Sequence, residues 1–529
     1  MIVGLDGLPW HILQFLIDRG IMPNLKKAVN LGTRATLRST IPPYTSASWT
    51  SITTGVNPGK HGIFDFLRFQ HRSYRSRLVN GLDIMYPRLH EMITSYGFRS
   101  VVINLPHSYP FLKSERNTIV TDWLTPKLIV YPDTIKNLVS SYNHSANWDL
   151  DREIRLSELD GRLRAVINLF THTEWDLFFV VFSEPDWIMH IAYDAILSHR
   201  GDITARIYKA FKMLDKFIGQ VISKLDTKDL LIVLSDHGFT AYDKIIHVNT
   251  ILSHTALANY AKVKPKTDAL GRLVLDRARR SADRKTSKKM PLPGWIFEII
   301  ADNIAVRKIA SKISQRAFGY KVMPTLTYSI NLYSSKAFTY SSPFGIYLNS
   351  KRMFNNGLLE QDIESDVIDE VIDELSKTRD PLTRCLIFSH IARREEIYWG
   401  PYIERAPHVI FIPNMKAGYT ISRSQDPYPT VIQRKTHFGH TMYGLLVMYS
   451  NSLKSNVDLG VVNAYDIVPT VLHYLGLPVP HDTDGKILFD AFPTESDIRT
   501  KPTKLKNYKE RWKVAQYVMK RSHKTKGQA

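Results

Sequence analysis

Short, continuous apolar runs alternate with amphipathic helical patterns over most of this chain. The runs at residues 2–5, 101–104, 177–182, 230–234 and 409–412 are rich in β-branched or aromatic side chains. The helical patterns between them lie at residues 8–18, 156–171, 205–224 and 361–376. Strands that are apolar on both faces and separated by helices are typical of a parallel sheet covered on both sides. The sequence therefore predicts an α/β fold with a mostly parallel central sheet between helices.

The alternation lapses between residues 257 and 340. That segment is basic and carries helical patterns at residues 270–289 and 295–318. Core character resumes near residue 344, and the chain becomes basic again from about residue 500. We therefore predict a core in two parts, residues 1–256 and 341–498, with a basic insertion or cap at 257–340 and a basic tail at 499–529.

The net charge of +20 is concentrated in two segments. Residues 499–529 hold eleven Lys and Arg against one Glu, and residues 261–290 hold eleven against three acidic residues. Such segments bind anionic surfaces, either nucleic acid or acidic lipid headgroups. Peripheral contact with an anionic membrane or another polyanion is therefore one expectation. Solvated basic segments that bind nothing specific are the other.

Cysteine content and hydropathy indicate where such a chain works. The single cysteine, Cys385, excludes an internal disulfide. No run of about 18 apolar residues could cross a bilayer, so the sequence predicts no transmembrane segment. The opening MIVGLDG segment reads as a strand and not as a signal peptide. We expect a cytoplasmic location, with peripheral contact at the inner membrane face as a variant of it.

Metal-compatible side chains follow the ends of the predicted strands. They are Asp6, Asp186, His190, Asp236, His237 and either His437 or His440. Ligands of parallel sheets bind beyond the carboxyl ends of the strands, where these residues fall. Asp186 and His190 are four residues apart, so one helical face would carry both to a single cation. Taken singly, each has another reading, because an Asp after a strand is often a helix cap and an Asp–His pair is often a surface ion pair.

A hydroxyl-rich segment at residues 44–54 includes Thr45. Hydroxyls are common at helix starts, so their presence alone indicates little. A hydroxyl becomes a nucleophile when a metal ion stabilises its alkoxide. Thr45 is therefore a candidate nucleophile only in combination with the metal-compatible residues.

Taken in order, these motifs resemble the type I phosphodiesterase/nucleotide pyrophosphatase family of the alkaline phosphatase superfamily. The matching text is GLDG at 4–7, MPNL at 22–25, PPYTSASWTSITTGVNPGKHGIFDF at 42–66, EPDWIMH at 184–190, SDHGF at 235–239 and AYDIVPTVLHYLGLPVPHDTDGK at 464–486. The resemblance covers most of the chain apart from the insertion and the tail. It implies an alkaline-phosphatase-like sandwich with an inserted cap, and a metal-dependent hydrolase of phosphodiester or phosphoanhydride bonds in a small-molecule or lipid-linked substrate.

The resemblance also implies the site. The family binds two divalent ions, usually zinc, although Asp and His ligands suit manganese or iron too. One ion would be held by Asp186, His190 and His440, and the other by Asp6, Asp236 and His237. Thr45 falls at the nucleophile position, where it would sit between the ions, contribute to the metal site and form a phosphothreonine intermediate. His440 is preferred over His437 because the family places its last His four residues before a strand-opening Gly, here Gly444. His437 would then contact a metal ligand without binding the ion itself.

The sequence departs from the family at two places. Family members carry an Asn after their His-Gly-Ile segment that contacts a phosphoryl oxygen, whereas here Phe64, Asp65 and Phe66 follow residues 61–63. Relatives often have Asp where His408 stands, so His408 is given no role. The first departure leaves a specifically nucleotide substrate open.

Two other functions compete with hydrolysis. A phosphotransferase would pass the phosphoryl-bearing group to a sugar or lipid acceptor, and the basic segments would suit such work at an anionic membrane surface. A nucleic-acid-binding protein with a vestigial site would use the same basic charge. All six ligand positions and the nucleophile position are filled, and few aromatic residues interleave the basic segments, which disfavours the binding protein.

Overall fold

A nine-stranded sheet forms the centre of the protein. The structure is a computed structural model, and it describes residues 1–144, 155–198, 201–263, 327–340, 344–424 and 427–526. In spatial order, the nine strands are Val457–Asn463, Thr33–Arg38, Tyr443–Tyr449, Leu231–Leu234, Ile2–Leu5, Leu177–Phe182, Ser100–Ile103, Asn117–Val120 and Val130–Tyr131. Seven of the nine run in one direction, and only Tyr443–Tyr449 and Val130–Tyr131 run against them.

Helices cover both faces of this sheet. The α-helices of the described residues are Trp10–Asp18, Pro23–Leu31, Thr45–Thr54, Pro58–His61, Leu89–Thr94, Leu156–His172, Glu184–Ser198, Asp202–Ile222, Val248–His254, Glu364–Lys377, Arg394–Ile397, Ile467–Tyr474, Asp497–Thr500 and Lys509–Lys526. Side chains that alternate along each strand pack into two separate apolar cores. Asp202–Ile222 and Leu156–His172 pack on one face, and Thr45–Thr54 and Ile467–Tyr474 pack on the other. This arrangement confirms the predicted α/β class.

Smaller sheets surround the central one. A three-stranded sheet is formed by Tyr419–Ile421, Gly238–Ile246 and Ile432–Thr441. A four-stranded sheet is formed by Ala337–Phe338, Gly345–Leu348, Val409–Pro413 and Phe388–Arg393. Three two-stranded pairs complete the set: Tyr260–Val263 with Thr327–Ile330, Val479–Pro480 with Leu505–Lys506, and Leu67–Phe69 with Ser76–Leu78.

One apolar run lies in a different sheet from the one predicted. Residues 409–412 were grouped with the central parallel strands, but Val409–Pro413 pairs antiparallel with Gly345–Leu348 and Phe388–Arg393. A short apolar run indicates that a strand is buried, but it does not identify the strand's neighbours. Most of the predicted insertion, including both of its helical patterns, lies outside the described residues.

The C-terminal helix, Lys509–Lys526, packs on the core through one face. Trp512 and Met519 are buried, and the Gln516 side chain donates to the carbonyl of Ile84 at 2.5 Å. Within the part of the chain that the structure describes, no helix has both the length and the apolar character needed to cross a bilayer.

Glycine at position 4 allows a tryptophan ring to pack directly against the central sheet. Gly4 lies in the middle strand, and a Cβ added there would meet the Trp49 ring at 2.3 Å. Trp49 is fully buried, packs edge-on against Phe179, and donates from its indole nitrogen to Asp6 at 3.3 Å. Because Gly4 has no side chain, the Trp49 ring can lie against the strand, and its indole nitrogen reaches Asp6 at the strand's end.

We predict that Gly4→Ala destabilises the protein by about 1–3 kcal/mol, the usual cost of overpacking a dense core. Urea unfolding measures this loss. In a Trp49→Phe background the same substitution should cost less, because the smaller ring leaves room for the methyl group. An equal loss in both backgrounds would contradict the proposed contact.

Candidate active site

The carboxyl ends of two neighbouring central strands bring three of the predicted ligands together. Asp6 directly follows Ile2–Leu5, and Asp236 and His237 directly follow Leu231–Leu234. The two strands are parallel neighbours, so their ends meet at one edge of the sheet. All three side chains are buried. We call these residues the first cluster.

A helix and a strand of the three-stranded sheet supply the other three. Asp186 and His190 lie on the first turns of Glu184–Ser198, which begins two residues after the neighbouring central strand ends. His440 comes from Ile432–Thr441, a long strand whose partner continues from His237. The three side chains offer ligand atoms that lie within 4.8 Å of one another, as do those of the first cluster. We call them the second cluster.

The first cluster points its lone pairs inward. His237 Nδ1 lies 3.0 Å from the carbonyl oxygen of Gly238, so this nitrogen carries the proton and donates it. The other ring nitrogen, Nε2, then presents a lone pair at 3.5 Å from Asp6 Oδ1 and 3.5 Å from Asp236 Oδ2. Both carboxylate oxygens are buried without a hydrogen-bond donor. Three lone-pair-bearing atoms therefore face one another, and His237 contributes no proton between them.

Electrostatics make this arrangement costly without a cation. Burial and the charges of Asp236 and Asp186 raise the pKa of Asp6 well above its usual range. Burial and the Asp186 charge likewise raise the pKa of Asp236. Burial, with a smaller contribution from His440, lowers the pKa of His237 well below its usual value, so the imidazole is neutral at pH 7. A buried group of this composition is stabilised when a divalent cation replaces the shared protons.

The second cluster repeats the pattern with two histidines. His440 Nδ1 lies 3.0 Å from the Pro43 carbonyl oxygen and donates to it, which leaves His440 Nε2 as an acceptor. That Nε2 lies 3.2 Å from Asp186 Oδ1 and 3.0 Å from His190 Nε2. Burial is the main cause that lowers the pKa of His190, to about 4. Two imidazoles and a carboxylate that converge in this way suit a cation such as zinc.

Close packing joins the two clusters. The rings of His237 and His440 stack at 3.7 Å between centroids. Gly7 has a φ of +71°, and a Cβ on it would lie 3.0 Å from Asp186 Oδ1. The turn after Asp6 can therefore pass directly against Asp186 only because residue 7 has no side chain.

Thr45 lies at the junction of the clusters. It is the first residue of Thr45–Thr54, and its hydroxyl lies 3.4 Å from His237 Nε2. Two residues earlier, the carbonyl of Pro43 accepts from His440. A short segment thus contacts one histidine of each cluster, and the hydroxyl of Thr45 faces the first.

The neighbouring serine points elsewhere. The Ser46 hydroxyl donates to the Asp65 carbonyl at 3.0 Å and lies 2.6 Å from His107 Nε2. Both partners belong to the surrounding fold and to neither cluster. Of these two adjacent hydroxyls, only that of Thr45 faces the metal-compatible residues.

The other residues considered in the sequence analysis lie outside both clusters. His437 is exposed on the same strand as His440 and belongs to neither cluster. His408 is buried and accepts a hydrogen bond from the backbone of Leu348, a role within the four-stranded sheet. Phe64, which follows the His-Gly-Ile segment, packs edge-on against Tyr398 at 5.0 Å. These contacts account for His408 and Phe64 as parts of the fold.

Sequence reasoning did not single out Trp49 or Arg423. Trp49 donates to Asp6 Oδ2, the carboxylate oxygen that does not face His237. The Arg423 guanidinium lies over the ring of Tyr44, the residue before Thr45, at 4.9 Å from its centroid. The hydroxyl-rich motif contains Trp49, which was a usable signal, whereas nothing in the sequence around Arg423 marks it.

Comparison with a family model identifies the class of protein. The model of the type I phosphodiesterase / nucleotide pyrophosphatase family matches residues 1–291, more than half of the chain. The chain therefore belongs to that family. Membership makes it an enzyme of the phosphodiesterase/pyrophosphatase type, a hydrolase.

Solved structures share the fold at low sequence identity. Human ectonucleotide pyrophosphatase/phosphodiesterase 5 is 13% identical with a TM-score of 0.50, over 92% of this chain and 96% of that one. An inactive variant of the murine protein, in complex with AMP, is 14% identical with a TM-score of 0.51, over 91% and 96% of the two chains. A search of curated proteins found no match. The structural likeness confirms the alkaline-phosphatase-like architecture.

We predict that zinc binding at pH 7 releases about one proton or more from the metal-free protein. The raised pKa values of Asp6 and Asp236 mean that these carboxyls hold protons when no cation is present. A cation must displace them, so apparent zinc affinity should rise with pH. Titration calorimetry in two buffers of different ionisation enthalpy measures the release. Equal heats in both buffers would contradict it, and Asp236→Asn should reduce the difference.

Proposed function

We propose that this enzyme cleaves phosphodiester or phosphoanhydride bonds with two divalent cations, through a phosphothreonine formed on Thr45. One observation carries the proposal: the segment that bears Thr45 contacts a histidine of each three-residue cluster. The first cluster would hold one cation and the second would hold the other. Family membership supports the reaction class, and the geometry supports the assignment of these residues.

The chain positions Thr45 for attack on phosphorus. Thr45 is the first residue of a ten-residue helix, and the N-terminus of a helix stabilises negatively charged phosphoryl oxygens. When bound, two divalent cations would lower the pKa of the attacking hydroxyl and neutralise charge on the phosphoryl oxygens. Thr45 Oγ1 forms a bond to phosphorus while the bond to the leaving alcohol or phosphate breaks. Water then hydrolyses the phosphothreonine and restores the hydroxyl.

Zinc is the proposed metal. Each cluster combines aspartate oxygens with imidazole nitrogens, a set that zinc accepts in tetrahedral sites with one position left open. Manganese or iron would fit the same donors. Trp49 holds one oxygen of Asp6, which would leave the other oxygen directed at the cation.

We predict that Thr45→Ala lowers the turnover of bis(p-nitrophenyl) phosphate at least 100-fold, because it removes the nucleophile of a covalent mechanism. The substitution should leave zinc content unchanged, since Thr45 belongs to neither cluster. Release of p-nitrophenol and metal analysis by mass spectrometry measure the two effects. Thr45→Ser should retain turnover, because it keeps the hydroxyl.

Nearly full activity in Thr45→Ala would show that another group attacks phosphorus. Wild-type preference for the diester over p-nitrophenyl phosphate would support a phosphodiesterase. Turnover of neither compound with zinc or manganese would favour the phosphotransferase, which requires a sugar or lipid acceptor.

We further propose that the C-terminal helix contacts an anionic membrane surface. Its outward face exposes Val514, Tyr517 and Val518 at 65%, 59% and 49% of their surface. Lys513 and Lys520 are exposed beside them. Apolar side chains flanked by lysines are typical of helices that lie in the interface of acidic bilayers.

Replacing Val514 and Val518 together with Asp should reduce sedimentation with phosphatidylserine vesicles about tenfold, because apolar contact and charge attraction are both weakened. The variant Val461→Asp is a matched control, since Val461 is a similarly exposed valine on an edge strand. Equal sedimentation of all three proteins, or sedimentation with neutral vesicles alone, would exclude this role of the helix.

A further inference from the structure

Arg423 is connected to the second cluster through the ring of Tyr44. The Arg423 guanidinium lies over the Tyr44 ring, 4.9 Å from its centre. The residue is exposed, so the charged group can be reached from solvent. Among the described residues, no carboxylate lies within salt-bridge distance of it, in contrast to Arg162 and Arg434, which pair with Glu184 and Asp380.

Tyr44 connects this arginine to the reaction centre. It immediately precedes Thr45, and its ring is buried edge-on against His440 at 6.0 Å and Phe344 at 5.5 Å. Packing against His440 and Phe344 fixes the ring, and the guanidinium lies over it. Arg423 and His440 are therefore both neighbours of the Tyr44 ring.

The charge of Arg423 acts on that cluster. The carboxylates of Asp65 and of Asp186, a member of that cluster, attract it. A fixed, accessible guanidinium offers several donors in one plane, the geometry that recognises phosphate and carboxylate groups. Holding such a charge near two proposed cations is unfavourable unless an anion bridges them.

We propose that Arg423 binds a second anionic group of the substrate, next to the phosphoryl group that Thr45 attacks. The inference rests on the proposed function, because it takes Thr45 and the two clusters as the reaction centre. It narrows the substrate class: compounds with a diphosphate linkage, or with another anionic group beside the reacting phosphoryl, are preferred over simple diesters.

Inorganic phosphate and pyrophosphate test this directly, since they differ by one anionic group. Both are titrated by calorimetry into zinc-loaded Thr45→Ala protein, in which the proposed nucleophile is absent, and metal content is checked afterwards. Pyrophosphate should bind more tightly than phosphate. Arg423→Met should weaken pyrophosphate about 10- to 100-fold, as expected for loss of a charged hydrogen bond, and weaken phosphate clearly less. Arg423→Lys should restore part of the loss.

A nearby cation provides the control. Lys435 is exposed on the strand that carries His440 and acts electrostatically on His437. Lys435→Met removes the same charge without touching Tyr44, and it should leave both affinities close to those of the parent protein. An equal loss of pyrophosphate affinity in the Lys435 and Arg423 variants would mean that affinity depends only on the total positive charge near the site, which would overturn the proposal.

The other outcomes are equally decisive. Equal weakening of phosphate and pyrophosphate by Arg423→Met would place Arg423 on the reacting group or in the fold, and unchanged affinities would exclude it from binding; either result overturns the proposal. If wild-type protein hydrolyses no phosphoester, the proposed function fails. The Arg423 site is still judged separately, because the calorimetry requires no turnover.

Discussion

The feature on which this structure depends is the convergence of three buried carboxylates and three imidazoles at one edge of the central sheet. His237 and His440 donate from Nδ1 to the carbonyls of Gly238 and Pro43, so their Nε2 atoms face the carboxylates of the two clusters. A buried acceptor that has lost water and gained no donor is costly. Two divalent cations would remove that cost in both clusters, so the polar groups of this edge are best understood as a site that metal completes.

The fold around this edge serves to bring distant segments together. Parallel strands deliver Asp6, Asp236 and His237 from their carboxyl ends, whereas His440 arrives from a separate sheet more than 200 residues later in the chain. Glycines permit these close contacts. Gly4 leaves room for the Trp49 ring that donates to Asp6, and Gly7 lets the turn after Asp6 pass against Asp186. The chemistry of the site therefore relies on packing several residues away from it.

The parts that could be predicted from the sequence are those with a local signal. The strand at residues 2–5 and the strand at 177–182 are continuous apolar runs, and polar residues directly after such runs mark the sheet edge. The run at 409–412 had the same signal and was assigned to the wrong sheet, because pairing partners are set by tertiary contacts that an apolar run does not encode. Arg423 has no local signal at all. Its position over Tyr44 joins segments nearly 380 residues apart, and only the folded chain shows that contact.

The central claim is that the two clusters bind separate divalent cations. Metal content per chain, measured by inductively coupled plasma mass spectrometry after zinc loading and gel filtration, tests it most directly when wild type is compared with His237→Ala and His190→Ala. The account predicts about two equivalents in the wild-type protein and about one in each variant, since each substitution removes a ligand from a different cluster. A single equivalent in the wild type, or unchanged content in both variants, would contradict it.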